Sequence, residues 1–393
     1  MSTTPGQDTV SVSEYNVTFK DDVTTLSLTT SVNVQDKLSF LDSLLLLSDD
    51  QRELSDVIQE KISLVAVAIS LPLTFCNVIV FLQKDMRNAT SLYVVGLSIA
   101  QLLYLIRHVI EYTLRAALPD SRNNFWYWSY MYYYVYFGMV AKRGSHVVTC
   151  LVSMERLYAV FRPLHIKDFF LSKRPFLCLV SAYLVAGVLH VYTLVKFSVQ
   201  AVSGSKAGKT VYNIQLSSMY KRHQESYDAL GLAAKGILTF MALPVQLVLN
   251  VLTIWALRRH NMATKRVQSS ASEEAKIQKE RQLTVTILAT TVSYLILTLP
   301  WALHALFHSI FTEYWELGKY GNIHVVIGDF GANLTYVSCG VDFACFYGLS
   351  SNFRRTFFKL FGIQRVKKWL GVKDSESQNN PRKDFESTDM TEL

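Results

Sequence analysis

Seven stretches of this chain, roughly 57–82, 89–110, 127–160, 176–197, 229–257, 283–310 and 323–350, are largely apolar. At about 20 residues or more, each is long enough to cross the hydrocarbon of a bilayer as an α-helix. Each must be helical there, because lipid offers no partner to an unpaired backbone N–H or C=O. The expected fold class is an all-α membrane protein, a seven-transmembrane-helix bundle, with residues 57–350 as its membrane domain. Composition points the same way: 50% of the 393 residues are hydrophobic and only 18% are charged, too few charges for an ordinary soluble enzyme of this size.

The net charge of +8 invites a nucleic-acid reading, but its distribution suits a membrane better, and no nucleic-acid partner is expected. Segments 83–88, 157–174, 258–282 and 354–373 would share one side and together hold 20 Lys and Arg. The opposite set, 1–56, 113–126, 196–226 and 310–324, holds 11. The positive-inside bias then puts the amino end outside and the carboxyl end in the cytoplasm.

The flanking segments follow. Residues 1–56, rich in Ser, Thr and Asp, are expected to be a mostly disordered extracellular arm. Asn16-Val17-Thr18 is a glycosylation sequon on that side; the same pattern at Asn88 and Asn333 falls where the modifying enzyme does not reach. The start lacks a basic n-region and an apolar h-region, so the first span would direct insertion. All five cysteines lie inside expected spans, which argues against an extracellular disulfide framework and against metal-ligand spacing. After the seventh span, bases alternate with aromatics from Phe353 to Leu370. Residues 351–373 are expected to form an amphipathic helix on anionic membrane lipids, with a calmodulin-type target as the alternative. Residues 374–393 read as a disordered cytoplasmic tail. No nucleophile–base pair, phosphate-cradling glycine loop or metal set is present, so neither enzymatic activity nor a cofactor is expected.

At the end of the third span the chain reads Glu155-Arg156-Leu157-Tyr158-Ala159-Val160-Phe161-Arg162-Pro163-Leu164. An ionisable pair at the end of a membrane-length segment is either at the water interface or functional. Here Glu-Arg-Leu-x-Ala-Val-x-x-Pro-Leu resembles the Asp-Arg-Tyr motif of rhodopsin-like (class A) G-protein-coupled receptors, of the peptide and invertebrate chemosensory type. The resemblance covers about three hundred residues. Asn77 matches the Gly-Asn-x-x-Val signature of the first helix, with Cys76 in place of Gly. Gln101 stands where the family has a buried aspartate in the second. Pro300 matches Cys-Trp-x-Pro in the sixth, with Thr298 in place of the tryptophan and Trp301 nearby. Asp342, Phe343 and Phe346 occupy the Asn, Pro and Tyr positions of Asn-Pro-x-x-Tyr in the seventh. The fourth span lacks the family's tryptophan.

The resemblance implies an activation switch in which Arg156 is held at rest by Glu155 and by Glu280, 20 residues before Pro300, with Asp342, Phe346 and Pro300 as further parts. A guanidinium suits the role because it stays charged and offers donors in fixed geometry. The resemblance also places Gln101, Ser145, Ser338 and Asp342 at the family's sodium pocket, with the acid moved from the second helix to the seventh. A buried carboxylate needs a partner, and Gln101 is expected to supply it; whether sodium binds is left open.

The candidate ligand cavity lies in the outer half. Lys142, Arg143 and His146 sit well within the third span, and Arg107, His108 and Glu111 within the second. Lys142 lies roughly 21 Å along the axis from Arg156 and within ~40° of its face, toward the interior, whereas Arg143 points elsewhere. Intramembrane charges of this kind are binding-site candidates, and an internal Glu111–Lys142 bridge is the bland alternative. Trp301, Gly138 and Tyr336 complete the set. Gly138 stands where amine receptors have an aspartate, and Tyr336 where opsins have their retinal lysine. Neither a monoamine nor a photoreceptor is therefore implied. Met131 replaces the family's outer cysteine, and loop 196–226 lacks its mate, so whatever shapes that loop is not a disulfide.

These features imply a multi-pass plasma-membrane receptor that couples an extracellular peptide or small chemosensory ligand to a heterotrimeric G protein. The ligand would be anionic if bases outnumber acids in the cavity. The alternative is a seven-helix ion transporter or channel that uses the intramembrane charges.

Overall fold

The computed structural model describes residues 47–86, 88–117, 125–203, 210–264, 271–311, 313–314 and 318–362. Helix α1 (Asp49–Phe81), α2 (Ala89–Ala117), α3 (Phe125–Phe161) and α4 (Pro175–Lys196) lead to an antiparallel hairpin of β1 (Phe197–Ser203) and β2 (Thr210–Leu216). Gln224–Lys235, a π-helical turn Gly236–Met241 and Ala242–Thr264 then run on without a break as α5. They are followed by α6 (Ala271–Ile310), α7 (Gly321–Leu349) and the short α8 (Ser351–Leu360).

By length and composition α1, α2, α4, α5 and α6 can each cross a membrane. Helices α3 and α7 are as long, but carry the ionisable and polar groups discussed below. Leu184 and Val188 on α4, and Val248 and Val251 on α5, are exposed. An apolar outer surface around a polar interior is the pattern of a multi-pass membrane protein. Asn16 and residues 363–393 lie outside the described residues, so the sequon, the second half of the expected surface helix and the tail are not placed.

The boundaries differ from the apolar windows where polar residues prolong a helix. Helix α1 begins at Asp49 rather than 57, so the end of the expected disordered arm is helical. Ser48 caps it: its hydroxyl accepts from the Gln51 N–H at 3.3 Å, and the Gln51 side chain accepts from the Ser48 N–H at 3.0 Å. This reciprocal capping box satisfies two otherwise orphaned donors. The added turns are tied to α7 by Asn322, which donates to the Leu47 carbonyl at 2.9 Å and to Asp49 at 3.0 Å. Helix α6 likewise starts at Ala271, well before 283, through a run that is polar in sequence.

The all-α expectation omits one element, the β1–β2 hairpin. Its strands pair Phe197 with Leu216 through to Ser203 with Thr210. This is the loop that lacks a disulfide, and backbone pairing orders it instead. Ser217 fastens its base, donating its N–H to the Lys196 carbonyl at 3.0 Å and its hydroxyl to the Val195 carbonyl.

Prolines shape three of the long helices. Pro72 lies inside α1 and Pro300 inside α6. Pro244 follows the π turn of α5. A proline has no N–H to give and its ring crowds the carbonyl four residues earlier, so a wider turn just ahead of Pro244 relieves that crowding. Beside Pro300, α7 comes very close. A Cβ on Gly331 would lie 2.9 Å from the Trp301 Cα, so only glycine allows this approach. Buried polar groups stitch the remaining contacts. Thr74 donates to the Cys339 carbonyl at 3.0 Å. Across α3, α5 and α6, Thr149 and Ser153 donate to Gln246 and Asn250, while Thr291 donates to Asn250 and Gln246 donates to the Thr291 carbonyl.

Candidate functional site

Near the C-terminal end of α3, Glu155 and Arg156 are both buried. Arg156 Nε donates to Glu155 Oε2 at 2.7 Å and Nη2 to Oε1 at 2.6 Å, a two-point contact between sequence neighbours. Thr90 on α2 joins them: its hydroxyl accepts from Arg156 at 2.5 Å and donates to Glu155 at 3.0 Å. Ser172 donates to the same carboxylate at 3.3 Å. Burial in a medium of low dielectric makes such charge-assisted bonds strong and their loss costly. The sequence offered no sign of Thr90 as the third member, since only the packing of α2 against α3 brings it there. Glu280 is in α6, but its side chain lies outside the described residues.

Midway along the bundle, Gln101 Nε2 donates to Asp342 Oδ2 at 2.8 Å, and both residues are buried. The expected partners are thus joined. Ser145 and Ser338, grouped with them in sequence, instead donate within their own helices, to Ala141 and Thr335. Asp342 also lines a small cavity with Thr149, Thr290, Thr291, Tyr294 and Phe346. Phe346, which has no hydroxyl to present there, packs edge-on to Phe81 at 4.7 Å.

Closer to the N-terminal end of α3, the Lys142 ammonium sits 3.5 Å from the centroid of Trp301 and 6.0 Å from that of Tyr104. It is only 6% exposed. The Arg107 guanidinium lies 3.4 Å over Tyr134 and 4.5 Å over Tyr104, and donates to the Tyr134 hydroxyl. Its head occupies the space that a side chain at Gly138 would need. Where an amine receptor presents a carboxylate from the third helix, this chain leaves a gap and fills it with a cation from the second.

Arg143 points to α4 and donates to His190 Nε2 at 2.6 Å; His190 Nδ1 then donates to the Ala186 carbonyl at 2.7 Å. The tautomer follows from the network, because a guanidinium can only donate. Glu111 does not bridge to Lys142. It pairs at 2.5 Å with Arg115, one turn along its own helix. His108 shares a 3.2 Å hydrogen bond with the Tyr336 hydroxyl, and the two rings lie 4.8 Å apart. His146 shares one of 3.1 Å with Tyr294. Among the described residues, then, no carboxylate forms an ion pair with Arg107, Lys142 or Arg143. Cation–π contacts offset part of the desolvation of the first two, and both Lys142 and Arg143 are buried.

With this geometry in view, residues 74–342 match the 7 transmembrane receptor (rhodopsin family). The match spans more than half of the chain, which therefore belongs to the rhodopsin family of seven-transmembrane receptors. Such receptors are multi-pass membrane proteins that work with extracellular ligands and G proteins. Among curated proteins, none matches the sequence.

Proposed function

We propose that this chain is a plasma-membrane receptor of seven spans, α1 to α7, with its amino end outside and α8 lying on the cytoplasmic leaflet. It responds to an anionic extracellular ligand, a peptide or small chemosensory molecule with a carboxylate or similar group, and activates a heterotrimeric G protein. The observation that carries the ligand class is the pair of cations, buried Lys142 and half-buried Arg107, that meet aromatic faces and form no ion pair with a carboxylate among the described residues. A desolvated cation attracts an incoming anion strongly, because its alternative partners are weak. Trp301, Tyr336, His108 and the Arg107 head beside Gly138 are the other groups of this proposed ligand site, with Glu111 neutralised by Arg115. Arg143, turned to His190, acts through the α3–α4 packing.

On the cytoplasmic side, Glu155, Arg156 and Thr90 form the resting contact, with Glu280 as the partner from α6. Agonist binding near Trp301 bears on Pro300 directly, and on Asp342 and Phe346 through α7. Loss of the Arg156 contacts then exposes the guanidinium to the G protein. An arrangement that two partners bias in opposite directions is a two-state element. Asn16 carries the glycan of the outer arm.

The test is ligand-stimulated nucleotide exchange on purified G protein by the full-length receptor, screened with carboxylate-bearing peptides and small acids. Lys142→Ala should lower the potency of the best agonist, and Arg156→Ala should abolish exchange with ligand binding retained. Potency untouched by Lys142→Ala would refute the anionic-ligand reading. Ligand-gated current without G protein would refute the receptor reading.

A further inference from the structure

The end of α7 leaves carbonyls without a partner in their own helix, and two neighbouring helices supply donors. Ser350 closes the last regular turn, donating its N–H to the Phe346 carbonyl at 2.9 Å. Arg354 on α8 reaches back with one nitrogen, Nη1, to the Tyr347 carbonyl at 3.0 Å and the Gly348 carbonyl at 2.7 Å. The carbonyl of Leu349, the last residue of α7, is met from α6, where Gln282 Nε2 donates to it at 2.9 Å.

The same amide makes a second bond. Ser351, the first residue of α8, donates its hydroxyl to Gln282 Oε1 at 3.4 Å. The amide is thus used from both ends, as donor to α7 and as acceptor from α8. Its orientation is fixed by this, because a backbone carbonyl can only accept. Beside it, Leu283 and Ile287 of α6 pack into the apolar cluster that holds Phe346 of α7 and Phe353 of α8. A polar clasp therefore closes over an apolar seam where three helices meet.

Its strength suits a contact that opens. Gln282 and Ser351 are exposed, so water competes for both bonds and each is worth little net. The Glu155–Arg156 pair, buried and charge-assisted, is the opposite case. Water also satisfies the exposed carbonyls of helix ends, so completing α7 does not require a residue of α6. What the Gln282 bonds add is a tie between α6 and the α7–α8 junction.

We propose that Gln282 is a positioning residue of the resting receptor: its amide clasps the N-terminal part of α6 to the α7–α8 junction, and it must let go before a G protein reaches Arg156. This rests on the receptor reading above. Separation of α6 from α7 breaks both bonds at once, so the clasp biases the two-state equilibrium toward rest.

The experiment is nucleotide exchange on purified G protein by the full-length receptor without ligand. Gln282→Glu keeps the shape and the acceptor for Ser351 but cannot donate to Leu349. It should raise exchange several-fold, as should Gln282→Ala, while Ser351→Ala, which removes only the longer bond, should raise it less. The converse is a covalent clasp. The Gln282→Cys/Ser351→Cys double variant joined by a short bismaleimide should exchange more slowly than the unjoined variant and than wild type. The two single-cysteine variants, treated alike, control for the native thiols. A residue that only supported folding would change the melting temperature, and would not move exchange up when released and down when tied.

Thr90→Val, acting at the Arg156 contact, separates the two ways of failing. If it raises exchange while the Gln282 variants do not, or if the joined receptor exchanges as fast as the unjoined one, the clasp is overturned and the receptor reading stands. If no variant stimulates exchange, Thr90→Val included, the receptor reading itself fails and takes the clasp with it.

Discussion

The ammonium of Lys142 rests 3.5 Å from the centre of the Trp301 ring, which places a cation from α3 against the residue that follows the α6 proline. A charge that enters or leaves this spot acts directly on the bend in α6. Lys142→Met keeps the length of the side chain and removes a desolvated charge. We expect a melting temperature equal to or above that of the wild type, because replacing a buried charge by an apolar group of similar volume is often neutral or stabilising, together with a loss of response to anionic agonists. A marked fall in melting temperature would mean that the cation is a structural member rather than a ligand contact.

Among the described residues, Gln101 donates the hydrogen bond that the Asp342 carboxylate receives, at 2.8 Å. Gln101→Leu strands that carboxylate and should destabilise the receptor by about 2 kcal/mol. Gln101→Leu combined with Asp342→Leu should recover much of that loss. Urea or thermal unfolding of the two single variants and the double variant measures the coupling; strict additivity would show that the bond contributes nothing.

Thr90 bridges Arg156 and Glu155 with one hydroxyl. Thr90→Val has nearly the same shape but neither accepts nor donates. It should raise ligand-independent nucleotide exchange several-fold, while Thr90→Ser restores the wild-type level. An unchanged basal rate in Thr90→Val would rule out a restraining role for this hydroxyl.

Gly331 faces the backbone of Trp301, with no room for a methyl group. Gly331→Ala should cost about 1–3 kcal/mol through overpacking. At Gly348 a Cβ would meet open space, so Gly348→Ala should leave stability unchanged or raise it slightly. Equal melting temperatures for the two variants would contradict the close approach.

Much of this site can be read from the chain. A carboxylate in an apolar span demands a donor, and the offset along the helices makes Gln101 the natural one. The 100° step per residue separates Lys142 from Arg143, and the two do point to different neighbours. Gln246 and Asn250, a turn apart in an otherwise apolar stretch, are legible in the sequence as polar stitches. Pro72 is legible there too. The strands of the hairpin alternate only weakly, as in Ser198-Val199-Gln200-Ala201, and short strands of that kind are defined by each other rather than by their own residues. The placing of the Arg107 head beside Gly138 is invisible in one dimension. Gly138 and Arg107 are 31 positions apart, and nothing but the α2–α3 contact relates them.

What the residues settled alone is the hydrocarbon-length segments and the location of their ionisable groups, since lipid punishes an unpaired polar atom wherever the helix happens to lie. Which cation meets which ring, which hydroxyl sits between Arg156 and Glu155, and which imidazoles meet between α6 and α7 were decided by the rotation and spacing of neighbouring helices. Those depend on close packing among all of them at once, a property that no single segment carries.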